Sequence, residues 1–427
     1  MAIFNVSELH EMMDAVGQAS GGDEIVIATG TYANWGLDLI CSGLVSAPLI
    51  VRPESDHNVT FTGETALHIT GQYVEVRGFR FGRCGLSRPC VDLDGARNCR
   101  VTNCWFEDCA GKTPVLGIRG SALDNRVDCC TFLRPEARSV RVEVQSEDAP
   151  MRNRIDHNLF QDVPPIGGNG RETIQVGQKQ PVWGLVEAQT VVEYNTFLRC
   201  DGEAEVISNK SSRNIYRYNL FKDCKGELVM RGGSYCTIEG NRFEGCSGGI
   251  RLSGTHHQVV NNVAVNNQNT GIRILYGMSL NLGGHYQAVG HCLIANNTIV
   301  NAGQIGIHIG SGGGKDWGEK GIADEVPYEN RFVNNIVTGV SGQLLVVEGL
   351  ENAIENNLFY ATENAAVPES GFCAIKKDPK FVDASQGDFR LSPGSPGIEA
   401  GVPVAGGHTA HMGASCVPFE TGPDSVR

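Results

Sequence analysis

Short runs in which apolar and polar residues alternate recur along the chain, and each run is built on a phrase of one form. The phrases read VTNCWFEDC, VDCCTFLR, IDHNLFQDV, VEYNTFLRC, YRYNLFKDC and IEGNRFEGC, between residues 101 and 246. Alternation over a few residues is typical of a half-buried β-strand, and the content of Val, Ile and Phe favours strands over helices. The pattern therefore predicts many short strands separated by turns.

The spacing of these phrases predicts how the strands stack. The asparagine that successive phrases share occurs at Asn195, Asn219, Asn241 and Asn262, in steps of 24, 22 and 21 residues, and the next step, to Asn297, is 35 residues. A constant phrase at an elastic spacing indicates regular coils that carry loop insertions on one side. We therefore predict an all-β fold, a single-domain parallel β-helix in which equivalent residues of successive coils are neighbours.

The two ends of the chain lack the repeat and are predicted to cap it. Residues 1–20 contain VSELHEMMDAV, in which Ser7 is a suitable N-cap for a short helix that would cover the first coil. Residues 21–375 form the predicted β-helix. Residues 376–427, where proline and glycine are frequent, form the predicted C-terminal capping segment of the same domain.

Two residue types recur in phase with the phrases, which predicts a stacked interior. Phenylalanine occupies one such position, at Phe106, Phe132, Phe160, Phe197, Phe221 and Phe243. Cysteine occupies another, at Cys84, Cys109, Cys200, Cys224 and Cys246. The fifteen cysteines lack the C-x-x-C pairs of a zinc site, and a free thiol packs like a small apolar group. We therefore expect a ladder of buried thiols rather than disulfides or bound metal.

Charge and hydropathy narrow the class of partner. The formal net charge of −13 argues against nucleic acid, although an anionic ligand can still bind at a local basic patch. No apolar run approaches the ~18 residues of a membrane span, so none is predicted. The first residues also lack the basic start and apolar segment of a secretory signal.

One stretch gathers charges that stacked coils would bring together. DGEAEVISNK, from Asp201 to Lys210, is followed by LVMRGG, which contains Arg231. Residues two apart on a strand share a face, and neighbouring strands lie about 4.8 Å apart. Alignment of the glycines that follow the cysteines then predicts one exterior stripe made of Glu203, Glu205, Arg231, Arg251, Arg273 and His308. Lys210 is predicted just past the strand, at a turn beside this stripe.

The residue types in this stripe favour a particular chemistry over an ordinary surface of salt bridges. Two glutamates on one face suit a hard cation such as Ca²⁺, which takes oxygen ligands. Arginines bind the carboxylate or sulfate groups of an anionic polymer in bidentate fashion. A lysine near a cation and an arginine is less favoured in its charged form, so it can act as a base.

EAEVISNKS followed by LVMRGG resembles the signature of polysaccharide lyase family 6, which includes alginate lyases and chondroitinase B. NGRETIQVG upstream and GGIRLSG downstream extend the resemblance, as does the interval of 21 residues between Lys210 and Arg231. The resemblance implies a right-handed β-helix. Two positions depart from the family pattern: Gly232 stands where a histidine is common, and Gln175 where an arginine is frequent.

The resemblance implies a lyase that cleaves a uronic-acid polymer, alginate first, by Ca²⁺-assisted β-elimination. In that reaction Asn169, Glu203 and Glu205 would bind the ion. Lys210 would remove the C5 proton of the uronate, and Arg231 would stabilise the departing oxygen.

Arg251 matches a basic family position that would hold another uronate of an anionic polysaccharide substrate. Arg273 and His308 extend the predicted column, so we expect them to contact substrate as well. The insertion at residues 310–330 either forms a wall of the expected substrate groove or is a mobile surface loop.

Three alternatives remain open. The substrate could be chondroitin B (dermatan sulfate), or the chain could be a non-catalytic β-helix that binds glycans. A glycoside hydrolase is less suited, because Glu203 and Glu205 on one strand do not flank a bond from two sides.

The substrate class leads us to expect a secreted or periplasmic protein, although no signal is visible. The sequence makes no prediction of the oligomeric state.

Overall fold

A computed structural model describes residues 1–145, 148–178, 186–278, 286–318, 321–361, 373–404 and 410–415 of the 427-residue chain. These residues form short, mostly parallel strands together with one α-helix. The predicted fold class, a right-handed parallel β-helix with a short N-terminal helix, is confirmed. By internal contacts the described residues divide into two compact units, residues 1–178 with 186–207, and residues within 208–415.

The first unit contains three columns of parallel strands. The first column consists of Ile3–Val6, Glu24–Ile27, Leu49–Pro53, Val74–Arg77, Arg100–Thr102, Arg126–Asp128, Arg154–Asp156 and Val191–Glu193. The second consists of Gly30–Ala33, Val59–Gly63, Arg80–Leu86, Trp105–Glu107, Thr131–Leu133, Leu159–Val163 and Thr196–Cys200, with the short strand Ala110–Gly111 paired to Arg80–Leu86. The third consists of Gly36–Leu39, Ala66–Ile69, Val91–Asp94, Leu116–Arg119, Val140–Val142 and Ile174–Val176.

The second unit repeats the three-column arrangement. Its first column consists of Ile215–Arg217, Thr237–Glu239, Gln258–Val260, Leu293–Ala295, Arg331–Val333 and Ala353–Tyr360. Its second consists of Leu220–Lys222, Arg242–Glu244, Val263–Val265, Thr298–Val300 and Ile336–Thr338, which also pairs with Ala353–Tyr360. Its third consists of Glu227–Gly232, Ile250–Leu252, Thr270–Leu275, Ile305–Ser311 and Gln343–Val347.

The strands not named above are Glu205–Lys210, Cys373–Ile375 and two antiparallel pairs. Strand Glu205–Lys210 begins in the first unit and ends in the second. Cys373–Ile375 pairs in parallel with Ala353–Tyr360. Two antiparallel pairs complete the set, Gly277–Met278 with Ala323–Glu325, and Phe381–Asp383 with Asp388–Leu391, the second pair being joined by the 3₁₀-helix Ala384–Gln386.

The N-terminal helix, Leu9–Gln18, begins with Glu8 as its N-cap, so the assignment of that role to Ser7 is wrong. The reason lies in the Glu11 carboxylate, which accepts hydrogen bonds from the Ser7 backbone N–H at 2.7 Å, the Ser7 hydroxyl at 3.0 Å and the Glu8 N–H at 3.1 Å. These bonds lower the pKa of Glu11. In the part of the chain that the structure describes, no helix is both long and apolar enough to cross a membrane.

Phenylalanine rings fill the interior of the coils, as the sequence predicts. In the first unit, the rings of Phe81, Phe106, Phe132, Phe160 and Phe197 stack with neighbouring centroids 4.8–4.9 Å apart. In the second unit, Phe221 and Phe243 stack at 4.6 Å. All of these rings are buried, so the stacks are core packing rather than a sugar-binding surface.

The cysteine ladder is also confirmed. The thirteen cysteines whose side chains are described are free thiols, and all but Cys129 are buried. Ladder members donate their S–H groups to the carbonyl oxygens of phenylalanines one coil away, as Cys200 does to Phe160 at 3.4 Å and Cys246 to Phe221 at 3.5 Å. Each thiol therefore fills a corner of the coil and is bonded there.

The recurrent asparagines form a second ladder, which satisfies buried backbone groups at the turns. In the second unit, Asn297 is fully buried, and its side-chain amide donates to Asn335 Oδ1 and to the Val259 carbonyl, each at 2.9 Å. Its Oδ1 accepts both the backbone N–H and the side-chain N–H of Asn262 at 3.0 Å. The side chains thus continue the hydrogen bonding where the strands end.

Replacing Asn297 by alanine should lower the free energy of unfolding by about 2–3 kcal/mol, because the buried N–H groups of Asn262 lose their acceptor. Denaturant unfolding measures this change. The matched control is Asn269→Ala, which removes an exposed amide and should stay within about 0.5 kcal/mol of the wild type. Equal losses in the two variants would contradict a structural role for the ladder.

Candidate active site

Basic side chains occupy paired positions on the third column of the second unit. The strand register places Arg251 opposite Val229 and Arg273, and Arg273 opposite His308. Arg251, Arg273 and His308 therefore lie in one line across three neighbouring strands, at the positions that the sequence alignment predicts. Such a line presents one cationic or imidazole group per strand.

Glu227 holds two of these arginines and was not recognised from the sequence. Glu227 as a whole residue is 6% exposed. Its two carboxylate oxygens accept hydrogen bonds from Nε of Arg273, at 2.8 Å, and from Nη2 of the same guanidinium, while Nε of Arg251 lies 3.7 Å from Oε2. One carboxylate thus orders two guanidinium groups on neighbouring strands.

His308 is half-buried at the end of this line, next to Arg273. Burial lowers the pKa of its imidazole and the charge of Arg273 lowers it further, whereas Glu348 acts in the opposite direction. The imidazole is therefore neutral near pH 7, where it can both donate and accept a hydrogen bond.

Lys210 and Arg231 each lie at or next to the C-terminal end of a strand. Lys210 is the last residue of Glu205–Lys210 and is 3% exposed, so it belongs to the strand and not to the turn predicted for it. Arg231 is the penultimate residue of Glu227–Gly232 and is partly exposed. Gly233 follows with φ of +91°, and a Cβ there would lie 2.2 Å from the carbonyl oxygen of Ser211, which explains the glycine.

An aromatic stack covers Arg231. The guanidinium carbon of Arg231 lies 5.3 Å from the ring centroid of Tyr286, which in turn stacks on Trp317 at 5.7 Å. The ammonium of Lys315 lies 4.0 Å from the Trp317 ring. Trp317 and Lys315 belong to the insertion at residues 310–330, so the described part of this insertion reaches Arg231 through Tyr286.

The first unit contains a cluster of three carboxylates. One oxygen from each of Glu172, Glu203 and Glu205 lies within 4.8 Å of the others. Glu203 accepts hydrogen bonds from the backbone N–H groups of Gly170 and Arg171. Burial, and then the charge of Glu172, raises the pKa of Glu203 to about 7. Three acids this close repel one another, and a cation among them would relieve that repulsion.

The cluster fits a hard divalent cation, because all three side chains offer oxygen ligands. Arg138 donates to Glu172 at 2.7 Å and Gln175 donates to it at 3.0 Å, which fixes the orientation of that carboxylate. The sequence pattern did not single out Glu172, although it lies in NGRET, three residues after Asn169. Asn169 is exposed, and its role as a ligand stays a prediction.

The chain is similar to known polysaccharide lyases. A family model described as chondroitinase B matches residues 6–326. The chain is 26% identical to a mannuronic acid specific polysaccharide family 6 lyase from human gut microbiota, with a TM-score of 0.76 over 89% of this chain and 92% of that one.

Two further solved structures share the fold. One is the family 6 alginate lyase AlyGC, 24% identical, with a TM-score of 0.82 over 99% of this chain but only 57% of the other. The other is the family 6 polysaccharide lyase Pedsa3628 from Pseudopedobacter saltans, 21% identical, with a TM-score of 0.71 over 96% and 99% of the two chains. No curated protein sequence matches this chain.

Proposed function

Since this chain belongs to the chondroitinase B family and is a polysaccharide lyase, we propose that its substrate is alginate, cleaved by Ca²⁺-assisted β-elimination. The observation that carries the proposal is the line of Arg251, Arg273 and His308, one group on each successive strand. Strands repeat every ~4.8 Å, close to the length of one sugar ring, which suits a polymer with a carboxylate on every unit. Alginate is preferred over dermatan sulfate because the 26% identical relative is described as specific for mannuronic acid.

Lys210 acts as the base in this proposal. It removes the proton from C5 of the uronate, and the electron pair left on that carbon forms the C4=C5 double bond while the bond from C4 to the bridging oxygen breaks. Burial of Lys210 limits the access of water, so that proton transfer is directed to the substrate. The product carries an unsaturated uronate at its new non-reducing end.

Arg231 stabilises the negative charge that develops on the departing oxygen. A guanidinium keeps its proton throughout, so it acts through charge and hydrogen bonds, and the oxygen obtains its proton from solvent. The Tyr286 ring restricts where this guanidinium can lie. Arg251 and Arg273, ordered by Glu227, bind neighbouring uronates.

Glu172, Glu203 and Glu205 would hold Ca²⁺ in this proposal, with Asn169 as a further ligand. When bound, the ion would neutralise the uronate carboxylate and so make the C5 proton easier to remove. The backbone N–H groups of Gly170 and Arg171 hold Glu203 in place for this role. Arg138 and Gln175 do the same for Glu172.

A substrate panel tests the proposed function. The protein is incubated with alginate, polymannuronate, polyguluronate and dermatan sulfate, with and without a chelator, and the ultraviolet absorbance of the unsaturated product is recorded. We expect absorbance to rise with alginate and to fall when the chelator is added. A rise with dermatan sulfate alone would support the chondroitin B alternative, new reducing ends without absorbance would indicate hydrolysis, and no cleavage would favour a glycan-binding protein.

Tyr286 offers a test of how Arg231 is positioned. Tyr286→Ala should lower kcat about tenfold with little change in KM, because the guanidinium loses the ring that restricts it. Tyr286→Phe keeps the ring and should retain most of the wild-type rate. If the phenylalanine variant lost as much activity as the alanine variant, the hydroxyl rather than the stacked ring would be the important group.

A further inference from the structure

Three cysteines of the first unit converge at one corner of the coil. One sulfur each from Cys84, Cys90 and Cys109 lies within 4.8 Å of the other two, and the sulfurs of Cys90 and Cys109 are 4.0 Å apart. All three side chains are at most 1% exposed. They come from consecutive coils, because the register pairs Ala110 with Gly85 and thereby stacks Cys109 on Cys84.

The thiol ladder explains only two of these cysteines. Cys84 and Cys109 occupy ladder positions and donate S–H to the carbonyl oxygens of Phe61 and Phe81, each at 3.5 Å, as other ladder members do. Cys90 is not part of the ladder. It immediately precedes strand Val91–Asp94, in a different column, and its thiol is directed at the Cys109 sulfur. The addition of Cys90 converts a stacked pair into a triangle.

We propose that Cys84, Cys90 and Cys109 form a binding site for a soft, thiol-preferring cation, with Cu(I) as the best match. Three sulfurs arranged in a plane around an ion at about 2.3 Å lie about 4.0 Å from one another. The separation of Cys90 and Cys109 has that value, so the sulfur pair needs little movement to bind.

Coordination number and charge both favour Cu(I) over Zn²⁺. Zinc takes four ligands at structural sites. Among the described residues, the cluster of possible metal ligands at this corner contains three side chains, all of them cysteines. Cu(I) accepts three sulfur ligands. In a buried site a monovalent ion needs only one thiol to release its proton to solvent for the site to be neutral, and burial penalises any net charge.

The site is separate in its residues from the proposed reaction, since none of the three cysteines has a role in cleavage. Its function would be structural: a bound ion would link two consecutive coils near the start of the β-helix. The sulfurs are shielded from solvent, so the ion would enter during folding or through transient opening of the coil.

Competition for Cu(I) tests the proposal. The fully reduced protein is titrated with Cu(I) held by a chromophoric chelator, under argon, and the amount transferred is read from the chelator's absorbance. We expect the wild type to take up one equivalent, and Cys90→Ala to bind at least tenfold more weakly. The matched control is Cys200→Ala, a buried ladder cysteine outside the triangle, which should bind as the wild type does.

Wild-type uptake no greater than that of Cys90→Ala, or an equal loss in Cys200→Ala, would overturn the proposal. Should Cys90→Ala fail to fold, anomalous scattering at the copper edge from crystals of the loaded wild type must show one peak among Cys84, Cys90 and Cys109. Its absence would likewise overturn the site. A disulfide that joins two of Cys84, Cys90 and Cys109 without added metal, located by peptide mapping, would also refute a metal site.

Discussion

Lys210→Ala should reduce kcat by about 10²–10⁴-fold, because the base that removes the C5 proton is lost. The side chain is almost fully buried at the end of its strand, where water is a poor replacement. The rate is measured from the ultraviolet absorbance of the unsaturated product under saturating polymer. KM should change much less than kcat, since Lys210 acts on the transition state.

The control for this prediction is Lys222→Ala, in the strand Leu220–Lys222 of the same unit. Lys222 is exposed and has no proposed role, so its removal should leave the rate within about twofold of the wild type. Circular dichroism of both variants verifies that they fold. A Lys210→Ala enzyme that folds and cleaves at the normal rate would eliminate Lys210 as the base.

Glu205→Gln should raise the Ca²⁺ concentration needed for half-maximal activity by at least about tenfold, because one of three clustered carboxylates becomes neutral. Excess Ca²⁺ should restore part of the activity. Direct Ca²⁺ titration by calorimetry measures the same loss without depending on turnover. The matched control is Asp14→Asn, an exposed carboxylate on the N-terminal helix, which should leave Ca²⁺ binding unchanged.

The same titration tests two further candidate Ca²⁺ ligands, Glu172 and Asn169. If Glu172 is a ligand, Glu172→Gln should weaken Ca²⁺ binding as Glu205→Gln does. If Asn169 is a ligand, Asn169→Ala should also weaken it, despite the exposure of that side chain. Tight Ca²⁺ binding by all three variants would refute the proposed metal site, whatever the activity of the enzyme.

The predictions that the structure confirms rest on equivalent positions that recur in successive coils. The phenylalanine stack, the thiol ladder and the register of Arg251, Arg273 and His308 all follow from aligning equivalent positions. Parallel strands bring equivalent residues of successive coils together, so an alignment of phrases is also a map of contacts. The same alignment is therefore supported by several phrases within one chain.

The errors and omissions concern positions that occur once. The sequence pattern predicts Ser7 as the helix cap, but the Glu11 carboxylate accepts hydrogen bonds from Ser7, and Glu8 is the N-cap. Glu227 looks like an ordinary strand residue until its contacts with the arginines are seen. Tyr286 lies 55 residues from Arg231 in the chain, and no periodicity connects the two.

The sequence by itself determined the class of fold, the family and the line of basic groups, because alternation and repetition specify which residues face the interior and which residues stack. Only the tertiary structure decided which side chains meet across loops and corners: Glu172 with Glu203 and Glu205, Tyr286 with Arg231, and Cys90 with the thiol ladder. These contacts depend on the paths that irregular segments follow. The packing of the whole coil determines those paths, so no local sequence pattern predicts them.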